Sequence, residues 1–390
     1  MSKCYKFGEI LLPKNADVKN WAVVACDQYT SDLGYWKKIE QSVTDPTALR
    51  LIFPEVYLGS NDAERIAKII EKQNEYLSGG VFREVGGTVL VKRTTPYGNV
   101  RHGLMCLIDL TDYSVEKGAR PLIRATEGLV ESRIPPRVAI RKNCPLELPH
   151  IMLLIDDPDR TVIEPLEEEN LDVLYDGDLN GDGGHITGYA VTDVKKTEKA
   201  IDALIAKSEE KYGEKLAFLV GDGNHSLATA KACYDPSNPL SRYALVEVVN
   251  IFDEGLKFEP IHRAIFGADE KFVTALKDEM RGEPCKTTIF VGDKTDAIPF
   301  PSDPIDGVKK IQNFIDEYVK DTGLTVDYVH GDGDLKKICA ERGATGILLK
   351  PIDKDSFFAY IVKNGTLPRK TFSMGEANEK RYYMEARKVK

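Results

Sequence analysis

The chain of 390 residues lacks several features that would place it in a familiar class. Its seven cysteines are scattered and form no CxxC pair, which argues against a zinc site and predicts reduced thiols. No apolar run approaches the roughly 20 residues of a membrane helix. The first residues also contain no apolar segment typical of a signal peptide. We therefore expect a cytoplasmic protein with no membrane partner.

Positive charge is also scarce, because the formal net charge at pH 7 is −9. A protein that binds a phosphate backbone needs a basic face, so this balance argues against a nucleic-acid partner. The most basic segment is 120–142, which is consistent either with a solvated helix face or with a ligand-binding surface. The common signatures GxxxxGK[ST], GxSxG, HExxH and GxGxxG are all absent, so no standard catalytic motif assigns a reaction.

Apolar strands alternate with amphipathic helices along the chain, a pattern typical of α/β folds. We predict a mixed sheet with flanking helices and a smaller C-terminal region, with an α+β arrangement as the alternative. The predicted regions are 1–165 (an N-terminal α/β region), 166–266 (the core region) and 267–390 (a C-terminal α/β subdomain). Residues 21–30 predict a buried strand that runs into a polar loop. The proline- and aspartate-rich segment 292–307 predicts a surface loop.

The tripeptide GDG occurs three times, each time close to a histidine, and two of the copies favour plain turns. The copy at 181–183 follows residues that match the first half of a calcium loop. Position twelve, however, is Thr187 or Tyr189 rather than the required glutamate, so we predict a solvent-exposed hairpin turn. The copy at 331–333 leads into a helix with Asp334 as a plausible N-cap, which predicts a connector.

The remaining copy, at 221–223, follows the apolar stretch 216–220, which predicts a central strand buried on both faces. A helix that begins after a glycine turn offers accessible N–H groups to an anion. His225 can transfer protons near neutral pH, and Asp222 can accept a proton or hold a metal ion. A plain strand–turn–helix with Asn224 as the N-cap explains the same residues, so both interpretations stand.

Four elements follow the order typical of one uncharacterised bacterial and archaeal family. They are Thr126-Glu127 with Arg137, Asp222-Gly223-Asn224-His225-Ser226, Pro260-Ile261-His262-Arg263 and Leu367-Pro368-Arg369-Lys370-Thr371. On these residues nearly the whole chain resembles the domain-of-unknown-function 1015 family, whose hallmark turn reads D-G-H-H-R. The turn is also similar to that of the ParB and sulfiredoxin superfamily, which includes nucleotide-binding switches and free serine kinases. The resemblance implies phosphate chemistry on a small amino acid such as serine or phosphoserine.

The chain departs from the family pattern at three positions. Ser226 stands where the family has the arginine that would pair with phosphate, and Asn224 and Thr126 each replace a histidine. Anion binding must then fall to helix N–H groups, to Ser226 and to another cation. The candidate cations are Arg137, Arg141, Arg263 and Lys370.

We therefore predict a phosphotransferase of the kinase type, or a phosphohydrolase, acting on a small metabolite. The catalytic candidates are Asp222, His225 and Glu127. The candidates for binding phosphate or substrate are Gly223, Asn224, Ser226, Arg137, Arg141, His262, Arg263 and Lys370. Asp222 is the candidate ligand for Mg²⁺, and a nucleotide is the second candidate cofactor. The alternative is a non-catalytic nucleotide-binding switch or scaffold of the ParB type, which would favour a homodimer.

Overall fold

A computed structural model describes residues 3–116, 118–320, 322–368 and 370–390, and it divides the chain into two compact units. The first unit contains the residues up to Leu256 together with the C-terminal tail, Ala377–Lys390. The second unit is Lys257–Glu376. These units do not follow the boundaries predicted at residues 165 and 266. The physical reason is strand pairing, since strands from both sides of residue 165 share one sheet.

The strands are numbered from the N-terminus to the C-terminus. They are β1 (Tyr5–Lys6), β2 (Ile10–Pro13), β3 (Phe82–Val85), β4 (Thr88–Thr94), β5 (Val100–Asp109), β6 (Tyr113–Ser114), β7 (Ile123–Arg124), β8 (Leu146–Glu147), β9 (Met152–Ile155), β10 (Val173–Asp178), β11 (His185–Val191), β12 (Phe218–Asp222), β13 (Tyr243–Asn250), β14 (Phe258–Phe266), β15 (Cys285–Val291), β16 (Lys294–Phe300), β17 (Thr325–His330), β18 (Thr345–Ile347), β19 (Phe372–Met374) and β20 (Arg387–Lys388).

The helices lie between these strands and vary from one turn to five. They are α1 (Val18–Trp21), α2 (Leu33–Ser42), α3 (Asp62–Ser78), α4 (Ile134–Arg141), α5 (Lys195–Tyr212), α6 (Asn224–Ala232), α7 (Glu270–Glu279), α8 (Pro304–Lys320), α9 (Asp332–Arg342) and α10 (Lys354–Asn364). Within the described parts of the chain, no helix is both long enough and apolar enough to span a membrane.

A large mixed sheet forms the centre of the first unit, with the strand order β10-β11-β4-β5-β13-β9-β12-β7-β6. Strand β12 runs antiparallel to β9 and parallel to β7. Both faces of the sheet are covered, as the alternation along β5 shows. Leu104, Cys106 and Ile108 pack into one apolar cluster, and Met105 and Leu107 pack into another. The predicted α/β class with a mixed sheet is confirmed.

The segment 22–25 and the C-terminal tail lie side by side in the first unit. Val24 forms an isolated bridge with Tyr382, and the Tyr383 N–H donates to the Val23 carbonyl at 3.0 Å. Residues 22–25 are buried and extended, as the sequence predicts, although only Val24 pairs as a strand residue. The tail therefore returns to the first unit after the chain has formed the second.

The second unit contains an antiparallel sheet with the order β16-β15-β18-β14-β17, to which β19 adds by pairing with β14. The segment 292–307, predicted to be a surface loop, instead supplies β16 and the start of α8. β16 pairs with β15 along its whole length, so cross-strand pairing outweighs the proline and aspartate content of this segment.

Candidate functional site

The turn 221–223 leads directly from the buried strand β12 into α6. Gly223 is the N-cap and adopts φ +84°, in the left-handed region that favours glycine. A Cβ atom at this position would lie 3.0 Å from the Cα atom of Ile151. Asn224 is therefore the first residue of the helix and not its cap, and the carbonyl of Gly223 accepts from the Leu227 N–H at 2.9 Å.

The Asn224 side chain is buried and fixes the loop that contains Glu127. Its Oδ1 accepts the Thr126 N–H at 3.2 Å, and its Nδ2 donates to Thr126 Oγ1 at 3.4 Å. Thr126 Oγ1 in turn donates to the Val220 carbonyl at 2.5 Å. This contact accounts for both Asn224 and Thr126, which replace two histidines of the family pattern, because the amide and the hydroxyl form hydrogen bonds with each other. Glu127, which is half-buried, comes directly after Thr126, and Thr126 is held against the turn.

His225, a predicted catalytic residue, is oriented by a backbone group. Its Nε2 accepts the Val130 N–H at 3.0 Å. An imidazole nitrogen that accepts carries no proton, so in the neutral ring the proton lies on Nδ1. In this arrangement His225 can donate a hydrogen bond from Nδ1, whereas its basic nitrogen is already engaged.

Ser226 lies in a chain of side-chain contacts that the sequence did not indicate. Its Oγ is 2.6 Å from Nε2 of His150, and Nδ1 of His150 is 2.8 Å from the Tyr383 hydroxyl. His150 immediately precedes the Ile151 backbone that packs on the turn, and Tyr383 belongs to the C-terminal tail. A hydroxyl, an imidazole and a phenol from three distant parts of the chain thus lie in line.

Two further charged groups complete this surface. Lys380 Nζ lies 3.2 Å from Asp222 Oδ2, while Asp222 Oδ1 accepts the Gly223 N–H at 2.8 Å. Asp27 Oδ2 is 3.9 Å from Nε2 of His150. Burial opposes the ionisation of Asp27. The nearby His150 and a hydrogen bond from Gln28 outweigh this effect and lower the pKa of Asp27 below its ordinary value. The site is therefore polar, mixed in charge and partly open to solvent.

Both predicted arginines on α4, which packs against α6, are held in ion pairs. Arg137 pairs with Glu55, whose pKa is raised by burial, and the Glu55 N–H donates to the Cys26 carbonyl at 2.8 Å, beside Asp27. Arg141 pairs with the buried Glu147. Arg137 therefore lies at the edge of the site, whereas Arg141 belongs to a structural ion-pair network.

The remaining predicted ligands lie in the second unit and serve its internal structure. His262 Nε2 is 2.9 Å from Asp332, and its Nδ1 accepts the Leu349 N–H at 3.1 Å. Burial lowers the pKa of His262 below its ordinary value. The Arg263 guanidinium is fully buried and donates to the Lys370 carbonyl at 3.0 Å, so the backbone of Lys370, not its ammonium, takes part. Arg369 of the same motif lies outside the described residues.

The other two GDG copies are turns, although each differs in detail from its prediction. The copy at 181–183 closes the β10–β11 hairpin, but Gly183 and Asn180 are buried, and the Asn180 carbonyl accepts from the Tyr382 hydroxyl at 3.0 Å. The copy at 331–333 starts α9, but its N-cap is Gly331 and not Asp334. The copy at 181–183 connects two strands, and residues 331–333 are exposed, so both copies differ from the strand-to-helix turn at 221–223.

Residues 27, 150, 380 and 383 were missed because they come from segments without a recognisable motif. A weak signal existed for His150, one of only six histidines, which stands directly before an apolar strand. Asp27 similarly follows the predicted strand in 21–30. Nothing in the sequence linked Lys380 or Tyr383 to the turn, because only the return of the tail brings them there.

Comparison with known proteins identifies a family but no activity. The profile of the family described as "Protein of unknown function (DUF1015)" matches residues 7–388. No protein in the curated collection matches significantly. Among solved structures, free serine kinase in complex with AMP aligns at 16% identity and TM-score 0.40, over 73% of this chain and 90% of the kinase.

Two other solved structures are similarly distant. A conserved hypothetical protein from Pyrococcus furiosus aligns at 14% identity and TM-score 0.37, over 71% of this chain and 90% of that protein. SbnI from Staphylococcus aureus, with a C-terminal truncation, aligns at 12% identity and TM-score 0.39, over 69% and 81% of the respective chains. Because these TM-scores all lie below 0.5, the likeness assigns no activity to this chain.

Proposed function

Because the chain belongs to the family described as "Protein of unknown function (DUF1015)", which names no activity, we propose a function from the geometry of its own site. The proposal is phosphoryl-group chemistry on a small hydroxyl-bearing metabolite at residues 222–226. One observation carries it: the Lys380 ammonium pairs with Asp222 directly before α6, and in the first turn of that helix the Ser226 hydroxyl contacts an imidazole.

The first part of the support is electrostatic. The first N–H groups of a helix have no partner within the helix, and together with the helix dipole they favour an anion. The backbone at Gly223 carries no Cβ, so the turn packs closely against Ile151 and the start of α6 is held in place. The family has an arginine where this chain has Ser226, and a serine carries no positive charge. In this chain Lys380 supplies that charge instead. The side chain of Lys380 is only 12% exposed, which limits the competition from water.

The second part of the support concerns proton transfer. His150 contacts the Ser226 hydroxyl, and the Asp27 carboxylate lies within reach of the same ring nitrogen. Such a pair can remove a proton from a hydroxyl and stabilise the resulting imidazolium. Glu127 follows the anchored Thr126 and stays a candidate acid or base. We assign the main proton-transfer role to His150, since the Nε2 of His225 is already occupied by a backbone donor.

The residues do not fit a magnesium ion bound directly to Asp222. Both of its carboxylate oxygens are engaged, one by the Gly223 N–H and the other by Lys380. Over the described ranges there is no cluster of three or more His, Cys, Asp or Glu side chains suited to a metal ion. We therefore derive no step through a protein-bound metal, and any Mg²⁺ would arrive with a nucleotide.

Anion binding is tested first, with inorganic phosphate as the probe. Line broadening in ³¹P NMR should show phosphate binding to the native protein and a loss of about tenfold or more in Lys380→Met, because the variant lacks the cation. Lys207→Met is the matched control, since Lys207 also forms an ion pair at 3.2 Å, with Asp159, on the surface of α5. Equal binding by both variants would remove the electrostatic basis of the proposal.

Turnover is tested by ³¹P NMR in two tubes. One contains L-serine with MgATP, MgADP and MgCTP, and the other contains phosphoserine alone. A new phosphomonoester peak in the first tube, or free phosphate in the second, establishes transfer or hydrolysis, and Asp222→Asn should reduce either rate. If nucleotide binds but neither spectrum changes, the protein is better described as a nucleotide-binding switch. If nothing binds, the proposal fails entirely.

A further inference from the structure

A buried hydrogen-bonded chain stands behind the Ser226 hydroxyl. The side chain of His150 is 12% exposed, and Tyr383 is 1% exposed, so the support is enclosed while Ser226 itself is half-buried. Neither Tyr383 nor the contact of Ser226 with His150 is needed for simple anion binding. The arrangement matches that of an activated nucleophile, in which a hydroxyl contacts a base and a third group orients the base.

The Tyr383 hydroxyl contacts the Nδ1 side of His150, where a hydrogen bond can fix which nitrogen of the ring is basic. This oxygen accepts the Cys26 N–H at 3.1 Å and lies 2.8 Å from Nδ1 of His150. We assign the neutral His150 ring the tautomer in which Nδ1–H donates to the Tyr383 oxygen. Nε2 then carries a lone pair that faces Ser226.

The same ring nitrogen has a carboxylate close by. Asp27 Oδ2 lies 3.9 Å from Nε2, outside direct hydrogen-bond range but near enough to stabilise a proton that arrives there. The groups that face His150 are therefore arranged in sequence: a hydroxyl that gives a proton, a lone pair that takes it, and a negative charge that stabilises the product.

From these contacts we propose that Ser226 is a covalent phosphoryl acceptor, with His150 as its base and Tyr383 as the residue that positions the base. This inference rests on the proposed function. The donor is a phosphoanhydride of the nucleoside di- or triphosphate class. Ser226 Oγ forms a bond to the terminal phosphorus while the anhydride P–O bond breaks, and the shorter nucleotide leaves as an anion. The Ser226 proton moves to Nε2 of His150.

The second half of the reaction returns the enzyme to its starting state. The hydroxyl of the acceptor attacks the phosphoserine, its proton is released to solvent, and the bond from phosphorus to Ser226 Oγ breaks. His150 then gives its proton back to Ser226. The net result is transfer of one phosphoryl group from the anhydride to the metabolite. The Ser226 hydroxyl thus takes part in the chemistry at the position where the family has an arginine.

The test uses the full chain without an acceptor. After incubation with MgATP or MgADP and an acid quench, intact mass spectrometry should show a gain of one HPO₃ unit, mapped by peptide analysis to Ser226. Labelled ADP should also exchange into ATP, or labelled AMP into ADP, because a phosphoenzyme makes the first half-reaction reversible. Ser226→Ala should abolish both signals, whereas the exposed Ser237→Ala should keep them.

Variants of the supporting residues separate a chemical role from a structural one. His150→Asn should slow isotope exchange by about 10²–10⁴-fold, the usual contribution of a general base. Tyr383→Phe keeps the buried ring but loses the hydroxyl. We expect slower exchange and, in a two-bond ¹H–¹⁵N spectrum, a loss of the Nδ1-protonated form of His150. An unchanged tautomer in this variant would contradict the positioning role.

The outcomes also distinguish this inference from the proposed function. If the native protein shows neither a mass gain nor isotope exchange, yet transfers phosphate to an acceptor, the covalent step is overturned and direct transfer remains. Undiminished turnover by Ser226→Ala would have the same meaning. If phosphate does not bind at all, the proposed function itself fails and the covalent inference fails with it.

Discussion

The turn at Gly223 offers the sharpest quantitative prediction about stability. Replacing Gly223 by alanine forces a non-glycine residue into φ +84°, which costs about 1–2 kcal/mol. The new Cβ would also lie 3.0 Å from the Cα and 3.1 Å from the Cγ1 of Ile151, so the turn or Ile151, directly before β9, must shift to relieve the contact. Overpacking of this kind adds about 1–3 kcal/mol.

Gly213→Ala is the matched control. Gly213 ends α5 at φ +75°, but a Cβ atom there meets nothing within 4 Å. Both substitutions carry the backbone cost, so their difference isolates the contact with Ile151. We expect Gly223→Ala to be less stable than Gly213→Ala by about 1–3 kcal/mol. With a slope of about 2 kcal/mol per M, the urea midpoints should differ by roughly 0.5–1.5 M.

Tryptophan fluorescence is a suitable assay, because both tryptophans of the chain, Trp21 and Trp36, are buried in the first unit. The unfolding of that unit can thus be followed separately from the second. Equal midpoints for the two glycine variants would refute the argument, since the turn would then not be packed against the Ile151 backbone. The same variant should also weaken phosphate binding, because the first N–H groups of α6 would shift.

Two further predictions concern buried and titrating charges. Glu147→Gln removes the carboxylate that pairs with Arg141 and with the fully buried Arg387, which keeps only the partly exposed Glu9, and should lower the free energy of unfolding by about 3–5 kcal/mol. Glu64→Gln, in an exposed pair, should leave the urea midpoint nearly unchanged, and similar midpoints for the two variants would contradict this reasoning. Hydrogen bonds that His185 donates to Asp178 and Asp176 raise its pKa above 6.5, and burial lowers the pKa of His262, so NMR titrations should give midpoints on opposite sides of 6.5. The stabilisation from protonated His185 is present below pH 6.5 and is lost as the pH rises through the raised pKa, and a His185→Gln variant should lack this dependence.

Local patterns were sufficient for most of the secondary structure. The strand β12 and the helix α6 follow from an apolar run and the glycine turn after it, which act over a few neighbouring positions. The segment 292–307 was predicted incorrectly because its residues favour a loop, whereas pairing with β15 stabilises a strand. Such pairing depends on a partner strand, and the propensity of the segment itself does not contain that information.

The candidate site shows the same division between local and tertiary information. The sequence alone determined that residues 221–226 form a glycine turn between a buried strand and a helix, because the turn needs a positive φ and the strand needs apolar neighbours. Only the tertiary structure brought His150, Lys380 and Tyr383 to that turn, through the pairing of β9 with β12 and the return of the C-terminal tail. The physical reason is that a local motif specifies a backbone, whereas the charges and bases around it are contributed by whichever distant segments pack against it.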